Sequence, residues 1–127
     1  MPTRGRQIGI GVAVLATLVL IGGCVFPTYD QSKLKAIRAE SMALMAAFPI
    51  DPSKRSADVP ENRWPPAIAG LRPEHVTVHG WGVDIVIKPY FDGGWGYEIP
   101  RTDERDLPMP PGCYSEPGPG VFWHGPC

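Results

Sequence analysis

The amino-terminal part of the sequence contains a long uncharged run that limits what the rest of the chain can fold into. The run extends from Ile8 to Gly23 and leads directly into Cys24, with Arg4 and Arg6 in front of it. Basic residues followed by an apolar segment are typical of an export signal, which is not part of the mature fold. We therefore assign residues 1–23 to a signal peptide. The remaining 104 of the 127 residues are enough for one domain.

The end of this run has a recognisable pattern, Leu20-Ile21-Gly22-Gly23-Cys24. An aliphatic residue three positions before a cysteine, with small residues between them, resembles the lipobox of bacterial lipoproteins. The resemblance implies cleavage before Cys24, with lipid on its sulfur and on the freed amine. Since Val25 and not Asp follows, it also implies an outer-membrane location facing the periplasm.

Two other interpretations of the leader stay open. The 19 residues from Ile8 to Phe26 carry no charge, and about 18 to 20 apolar residues are enough to span a bilayer. The leader could therefore be an uncleaved transmembrane anchor, or a signal peptide of an ordinary secreted protein. All three interpretations place the folded part outside the cytoplasm.

The cysteine count favours lipidation. Cys24, Cys113 and Cys127 are the three cysteines, and an odd number in an exported protein needs an explanation. Lipid on Cys24 leaves one pair, and an oxidising compartment favours a disulfide between its members. A bond from Cys113 to Cys127 would close a loop of 15 residues and stabilise the fold by about 3 kcal/mol in the chain-entropy model.

The first element of the fold is predicted to be a helix over residues 30–48, after a tether at residues 24–29. Asp30 is a suitable N-cap, and Pro49 ends the helix because the residue before a proline avoids helical dihedrals. Helical spacing predicts one apolar stripe, which Ser41 interrupts. Its members are Leu34, Ile37, Leu44, Met45 and Phe48.

The rest of the domain is predicted to be a long loop followed by a sheet. Residues 49–73 show no periodicity, although Trp64 should pack against the core. From residue 74 to 127 the apolar pattern changes to a period of two, which is typical of strands. The 16 prolines and 15 glycines of the chain indicate many irregular connections. We therefore predict a single α+β domain over residues 30–127, in which one amphipathic helix packs on a three- to four-stranded, mostly antiparallel sheet.

Two short segments of the predicted sheet resemble each other. Residues 80–85 and 94–99 both read Gly-Trp-Gly, an apolar residue, an acid and Ile. The simpler interpretation is that each segment begins a strand after a tight turn that needs glycine. The alternative is that Trp81 and Trp95 form an exposed aromatic pair, which could stack on a cell-wall sugar or anchor a protein partner. We therefore take these two tryptophans as the candidate binding residues.

Catalytic and metal-binding patterns are not found in the sequence. His75 and His79 would lie about 13 Å apart on a strand, too far to bind one metal ion through bonds of about 2 Å. A pair of His79 with His124 on a neighbouring strand stays open. Asp84 and Glu98 are predicted to face away from the helix, on a sheet too small to offer a pocket. We assign no catalytic residue, metal ligand or cofactor.

The functional hypothesis follows from the anchor and from these absences. A net charge of −1 argues against nucleic-acid binding, which needs a basic surface. We expect an envelope-anchored lipoprotein that is not an enzyme and that binds a protein or cell-wall partner, with the membrane contacted through its lipid. The alternatives are a purely structural envelope protein, a single-pass protein with an uncleaved helix, and a small hydrolase.

Overall fold

The protein is described from a computed structural model that covers residues 25–91, 93–102 and 106–127. The predicted signal peptide and the predicted lipidation site Cys24 lie outside these residues. Within the described ranges, no helix has both the length and the apolar character needed to cross a bilayer.

The fold is built on a six-stranded antiparallel sheet, with strand order β1-β2-β3-β4-β6-β5. The prediction of a three- to four-stranded α+β fold is therefore wrong, because the protein is richer in β-structure. Among the described residues, one main helix, one short second helix and two short 3-10 turns complete it. The strands are β1 (Ser56–Val59), β2 (His75–His79), β3 (Gly82–Lys88), β4 (Trp95–Pro100), β5 (Tyr114–Gly118) and β6 (Val121–His124).

The two strands that the sequence pattern did not predict are the edges of the sheet. Strand β1 has four residues and lies inside the predicted loop 49–73. Strand β5 contains Pro117 and follows a proline-rich stretch. Edge strands are often short and tolerate charge and proline, because one side of their backbone has no partner strand. Such strands lack the periodic pattern by which central strands are recognised.

The main helix, α1 (Gln31–Ala47), closely follows the predicted pattern. An Asp30 carboxylate oxygen accepts hydrogen bonds from the backbone N–H groups of Ser32 and Lys33, at 3.0 and 3.3 Å, which confirms the predicted N-cap. The helix ends just before Phe48 and Pro49. Its buried residues are Leu34, Ile37, Ser41, Leu44 and Met45.

The core lies between α1 and one face of the sheet. Side chains from the four central strands contribute Val76, Val78, Val83, Ile85, Tyr97, Ile99, Val121 and Trp123. A short helix, α2 (Pro66–Gly70), adds Ile68 at the edge of this layer. Trp64 packs against the core as predicted, and its indole N–H donates to the Val59 carbonyl at 3.0 Å.

The predicted disulfide is present between Cys113 and Cys127, with the Cα atoms 5.9 Å apart. Cys113 immediately precedes the edge strand β5, and Cys127 follows β6 by three residues. The bond therefore ties the start of an edge strand to the carboxy-terminal segment.

Candidate functional site

The face of the sheet that α1 does not cover carries most of the polar strand residues. The strand registers place one residue from each of five strands directly opposite its neighbour, so that they form a row across the sheet. In order, the row is Asp58, Thr77, Asp84, Glu98 and Phe122. Two carboxylates thus become direct cross-strand neighbours in the middle of the sheet.

A histidine from a third strand completes a cluster of titratable groups at this point. His124 lies opposite Gly96 on β4, two residues from Glu98. One potential ligand atom each from Asp84, Glu98 and His124 lies within 4.8 Å of the other two. Glu98 is 3% exposed and His124 is 5% exposed, whereas Asp84 is half-buried. We call these three residues the acid–histidine cluster.

Hydrogen bonds fix two members of the cluster. The Tyr114 hydroxyl donates to Oε1 of Glu98 at 2.7 Å, and it accepts from the backbone N–H of Met109 at 3.2 Å. Nδ1 of His124 lies 3.3 Å from the Gly125 carbonyl. Because a carbonyl oxygen can only accept, this contact places a proton on Nδ1 and leaves Nε2 facing Oε1 of Glu98 at 3.9 Å.

Burial dominates the electrostatics of the acidic groups. It raises the pKa of Asp84, although His124, His79 and His75 act in the opposite direction. It also raises the pKa of Glu98, against the Tyr114 hydrogen bond and His124, while Asp84 adds to the increase. Burial and the bond to Glu98 raise the pKa of Tyr114. The cluster therefore favours any state in which its negative charge is neutralised.

Asp84 and Glu98 face away from the helix, as the alternation predicts, but Glu98 is not exposed there. Both lie on the face away from α1, but Tyr114 of the unpredicted strand β5 covers Glu98. Nor do His79 and His124 lie on adjacent strands, since β3 and β4 separate them. Adjacent strands are about 4.8 Å apart, so three strand spacings separate the backbones of His79 and His124 by about 14 Å. This pair therefore cannot bind one metal ion.

A cavity of about 320 Å³ lies beside Tyr114 on the same face, where the sequence predicted no pocket. Its lining is Leu107, Met109, Pro111, Tyr114, Ser115, Glu116 and Phe122. Tyr114 thus lines the cavity while its hydroxyl binds Glu98. Glu98 itself is not a lining residue.

The structure does not bring the candidate binding residues Trp81 and Trp95 together. Trp81 lies immediately before β3, whereas Trp95 pairs with Lys88 at the other end of that strand. The six residue steps from Gly82 to Lys88 along β3 correspond to about 20 Å. Trp81 stacks on His79, with ring centroids 5.1 Å apart. The two tryptophans therefore belong to opposite ends of the sheet.

Trp95 is half-buried against the core and contacts a group of exposed aromatic residues at the turn between β3 and β4. Tyr90 and Phe91 stack with centroids 4.5 Å apart, and Phe91 is 86% exposed. Tyr90 packs edge-on against Trp95 at 5.7 Å, and Nζ of Lys88 lies 5.3 Å from the Trp95 ring. We call these four residues the aromatic tip. In the sequence, two adjacent aromatic residues directly precede Asp92-Gly93-Gly94, which is a turn signal. An exposed aromatic turn could have been predicted from this pattern.

Comparison of the chain with protein-family models, with curated proteins and with solved structures found no match. The function has therefore to be argued from the residues themselves.

Proposed function

We propose that the protein is a lipid-anchored protein of the bacterial envelope that binds a partner and does not act as an enzyme. In this proposal Cys24 carries the lipid, and the domain faces the periplasm from the outer membrane. The lipobox-like sequence before Cys24 supports the anchor. The Cys113–Cys127 disulfide supports export, because such bonds form and persist in oxidising compartments.

The observation that carries the proposal is the position of the aromatic tip relative to the predicted anchor. Phe26, two residues after Cys24, is 71% exposed and lines a shallow cavity with Ile87, the residue before Lys88. The chain therefore enters the domain at the same end of the sheet as the aromatic tip. Aromatic and lysine side chains are favoured at the membrane–water interface. This end of the domain is suited to rest on the bilayer that the lipid enters.

Trp81, at the other end of β3, then faces away from the membrane. Arg101 stabilises the turn that carries it: the guanidinium donates to the carbonyls of Gly80 and His79 at 3.0 and 3.1 Å. The Arg101 backbone N–H also donates to the Trp81 carbonyl at 2.7 Å. A tryptophan held rigidly costs little conformational entropy on binding, and tryptophan is enriched among residues that dominate interface energy. The proposed partner surface is therefore the Trp81 end.

Binding is favoured over catalysis because the buried acid is closed off. Glu98 is almost completely buried and does not line the cavity, whereas Tyr114, whose hydroxyl donates to the Glu98 carboxylate, does line it. A general acid or base must reach a proton of the substrate within hydrogen-bond distance. With Tyr114 in place, a molecule in the cavity meets the tyrosine before the carboxylate.

The anchor is tested by labelling cells with radioactive palmitate. Wild-type protein should carry the label and migrate as a cleaved form, whereas Cys24→Ser should carry none. Label retained by Cys24→Ser, or a full-length wild-type band without label, would contradict the lipoprotein proposal. The second result would favour the uncleaved transmembrane anchor.

The orientation is tested with the lipidated chain in vesicles that contain brominated phospholipids, which quench nearby tryptophan. Quenching should decrease in Trp95→Phe and persist unchanged in the matched variant Trp81→Phe, because Trp123, which lines the cavity beside Phe26, stays in both variants. If Trp81→Phe abolishes the quenching instead, the proposed orientation is wrong.

The partner surface is tested by pull-down with the lipidated chain from solubilised envelopes and with purified cell-wall fragments. Trp81→Ala should lose the partner without a change in thermal stability, and Phe91→Ser, at the membrane end, should keep it. If neither proteins nor cell-wall fragments bind the wild type, a purely structural role is favoured.

A further inference from the structure

The acid–histidine cluster is not used by the proposed function, and it raises a charge problem of its own. Asp84 and Glu98 lie directly opposite each other on β3 and β4. Like charges in such a pair destabilise a sheet, and a buried carboxylate is costly unless it is paired. In addition, Oδ1 of Asp84 is buried and has no hydrogen-bond partner among the described residues. A positive charge bound between the two carboxylates would offset both of these costs.

We propose that Asp84, Glu98 and His124 bind one divalent transition-metal ion of the zinc class. Two carboxylate oxygens and one imidazole nitrogen are a donor set that zinc accepts. The nitrogen donor favours zinc and its neighbours over magnesium and calcium, which prefer oxygen alone. Two carboxylates and a neutral imidazole balance the charge of a divalent ion, so the loaded cluster is neutral.

The distances allow this with a small closure. Ligand atoms around a tetrahedral zinc ion are about 3.4 Å apart when each bond is about 2.1 Å. In the protein Nε2 of His124 and Oε1 of Glu98 are 3.9 Å apart, and all three ligand atoms lie within 4.8 Å of one another. Side-chain rotations that bring the atoms together by about an ångström would form the site.

The surroundings resemble the outer shell of a metal site. A metal-binding histidine usually donates its second ring N–H to a carbonyl or carboxylate, which fixes the tautomer. Nδ1 of His124 has this relation to the Gly125 carbonyl, so that Nε2 carries the free lone pair. Tyr114 orients the Glu98 carboxylate by its hydrogen bond. Asp84 is the least buried member of the cluster, and water would supply the fourth ligand of a tetrahedral zinc ion bound by three side chains.

The test uses the mature lipidated chain, purified in detergent without a histidine tag and stripped with EDTA. Calorimetric titration with zinc chloride should give one ion per chain, and cobalt(II) should give visible absorption bands of a four-coordinate site. Glu98→Gln, His124→Asn and Asp84→Asn should each weaken zinc binding at least about tenfold. His75→Asn, a matched change at an exposed histidine on the same face, should leave the affinity unchanged.

Thermal unfolding gives an independent readout of the same site. Saturating zinc should raise the Tm of the wild type and of His75→Asn, and leave that of His124→Asn unchanged, because an ion stabilises only the state that binds it. If a buried variant does not fold, the half-buried Asp84→Asn decides the outcome. The proposal is overturned if the wild type binds no zinc, or if Asp84→Asn binds it as tightly as the wild type.

Discussion

Ser41 provides the most direct test of how the helix packs on the sheet. It occupies the buried stripe of α1 with 0% exposure, and its Oγ has no hydrogen-bond partner among the described residues. A buried, unsatisfied hydroxyl costs about 1–3 kcal/mol. Alanine also has a helix propensity roughly 0.5 kcal/mol better than serine. The Ser41→Ala change should therefore stabilise the protein.

The magnitude follows from these contributions and one small loss. Removal of the oxygen forfeits a few contacts of about 0.1–0.2 kcal/mol each, so the net gain is about 1–2 kcal/mol. For a domain of this size each kcal/mol raises the Tm by roughly 4–8 °C. Thermal unfolding of the full-length chain in mild detergent, followed by circular dichroism, measures the shift.

The control is Ser32→Ala, at an exposed position of the same helix. A surface change of this kind should alter the free energy of unfolding by less than about 0.5 kcal/mol. If Ser41→Ala shifts the Tm no more than Ser32→Ala does, or lowers it, the reasoning is refuted. In solution the Ser41 hydroxyl would then be satisfied, for example by the Ile37 carbonyl one turn earlier.

Three further outcomes are expected. Replacement of both Cys113 and Cys127 by serine should lower the free energy of unfolding by about 3 kcal/mol, because the disulfide closes a loop with a sequence separation of 14. Chemical denaturation measures this loss. Equal denaturation midpoints of the oxidised wild type and the double variant would contradict the prediction. Glu40→Ala should lower the free energy of unfolding by about 1–3 kcal/mol, since the Glu40 carboxylate accepts hydrogen bonds from the first N–H groups of α2 at 2.9–3.2 Å. In the same denaturation assay, Glu40→Gln should keep part of the stability that Glu40→Ala loses. The pKa of Asp51, lowered below 3.8 by hydrogen bonds from the backbone and then the side chain of Ser53, should rise part of the way in Ser53→Ala when titrated by NMR. Because the pKa of Asp51 is lowered in the folded state, the stabilising effect of this turn is present above about pH 4 and is lost as the pH falls through the folded pKa. An unchanged NMR titration midpoint of Asp51 in Ser53→Ala would exclude the contribution of the Ser53 side chain.

The elements recognised from the sequence are those whose signal is local. The α1 stripe, the Asp30 cap and the central strands all depend on residues a few positions apart, whose side chains meet because of helix or strand geometry alone. Strands β1 and β5 escape this reasoning. Each is short, lies at an edge and is defined by its partner strand and not by its own pattern.

The acid–histidine cluster was missed because its members are distant in the chain. Closeness in sequence suggests a pair of His75 with His79, and equivalent places in two similar segments suggest a pair of Trp81 with Trp95. Asp84 and Glu98 occupy equivalent places in those same segments. Antiparallel pairing of β3 with β4 brings the acids face to face and sends the tryptophans to opposite ends.

The sequence by itself determined the helix and its cap, the core strands and the cysteine pair, and the anchor at Cys24 stays a prediction from it. Only the tertiary structure decided which polar residues meet. Alternation along a strand assigns a side chain to a face, but the register between strands assigns its neighbours. Register depends on turns and core packing across the whole sheet. The burial of Glu98 beside Asp84 and His124 is therefore a property of the assembled sheet, which no single segment specifies.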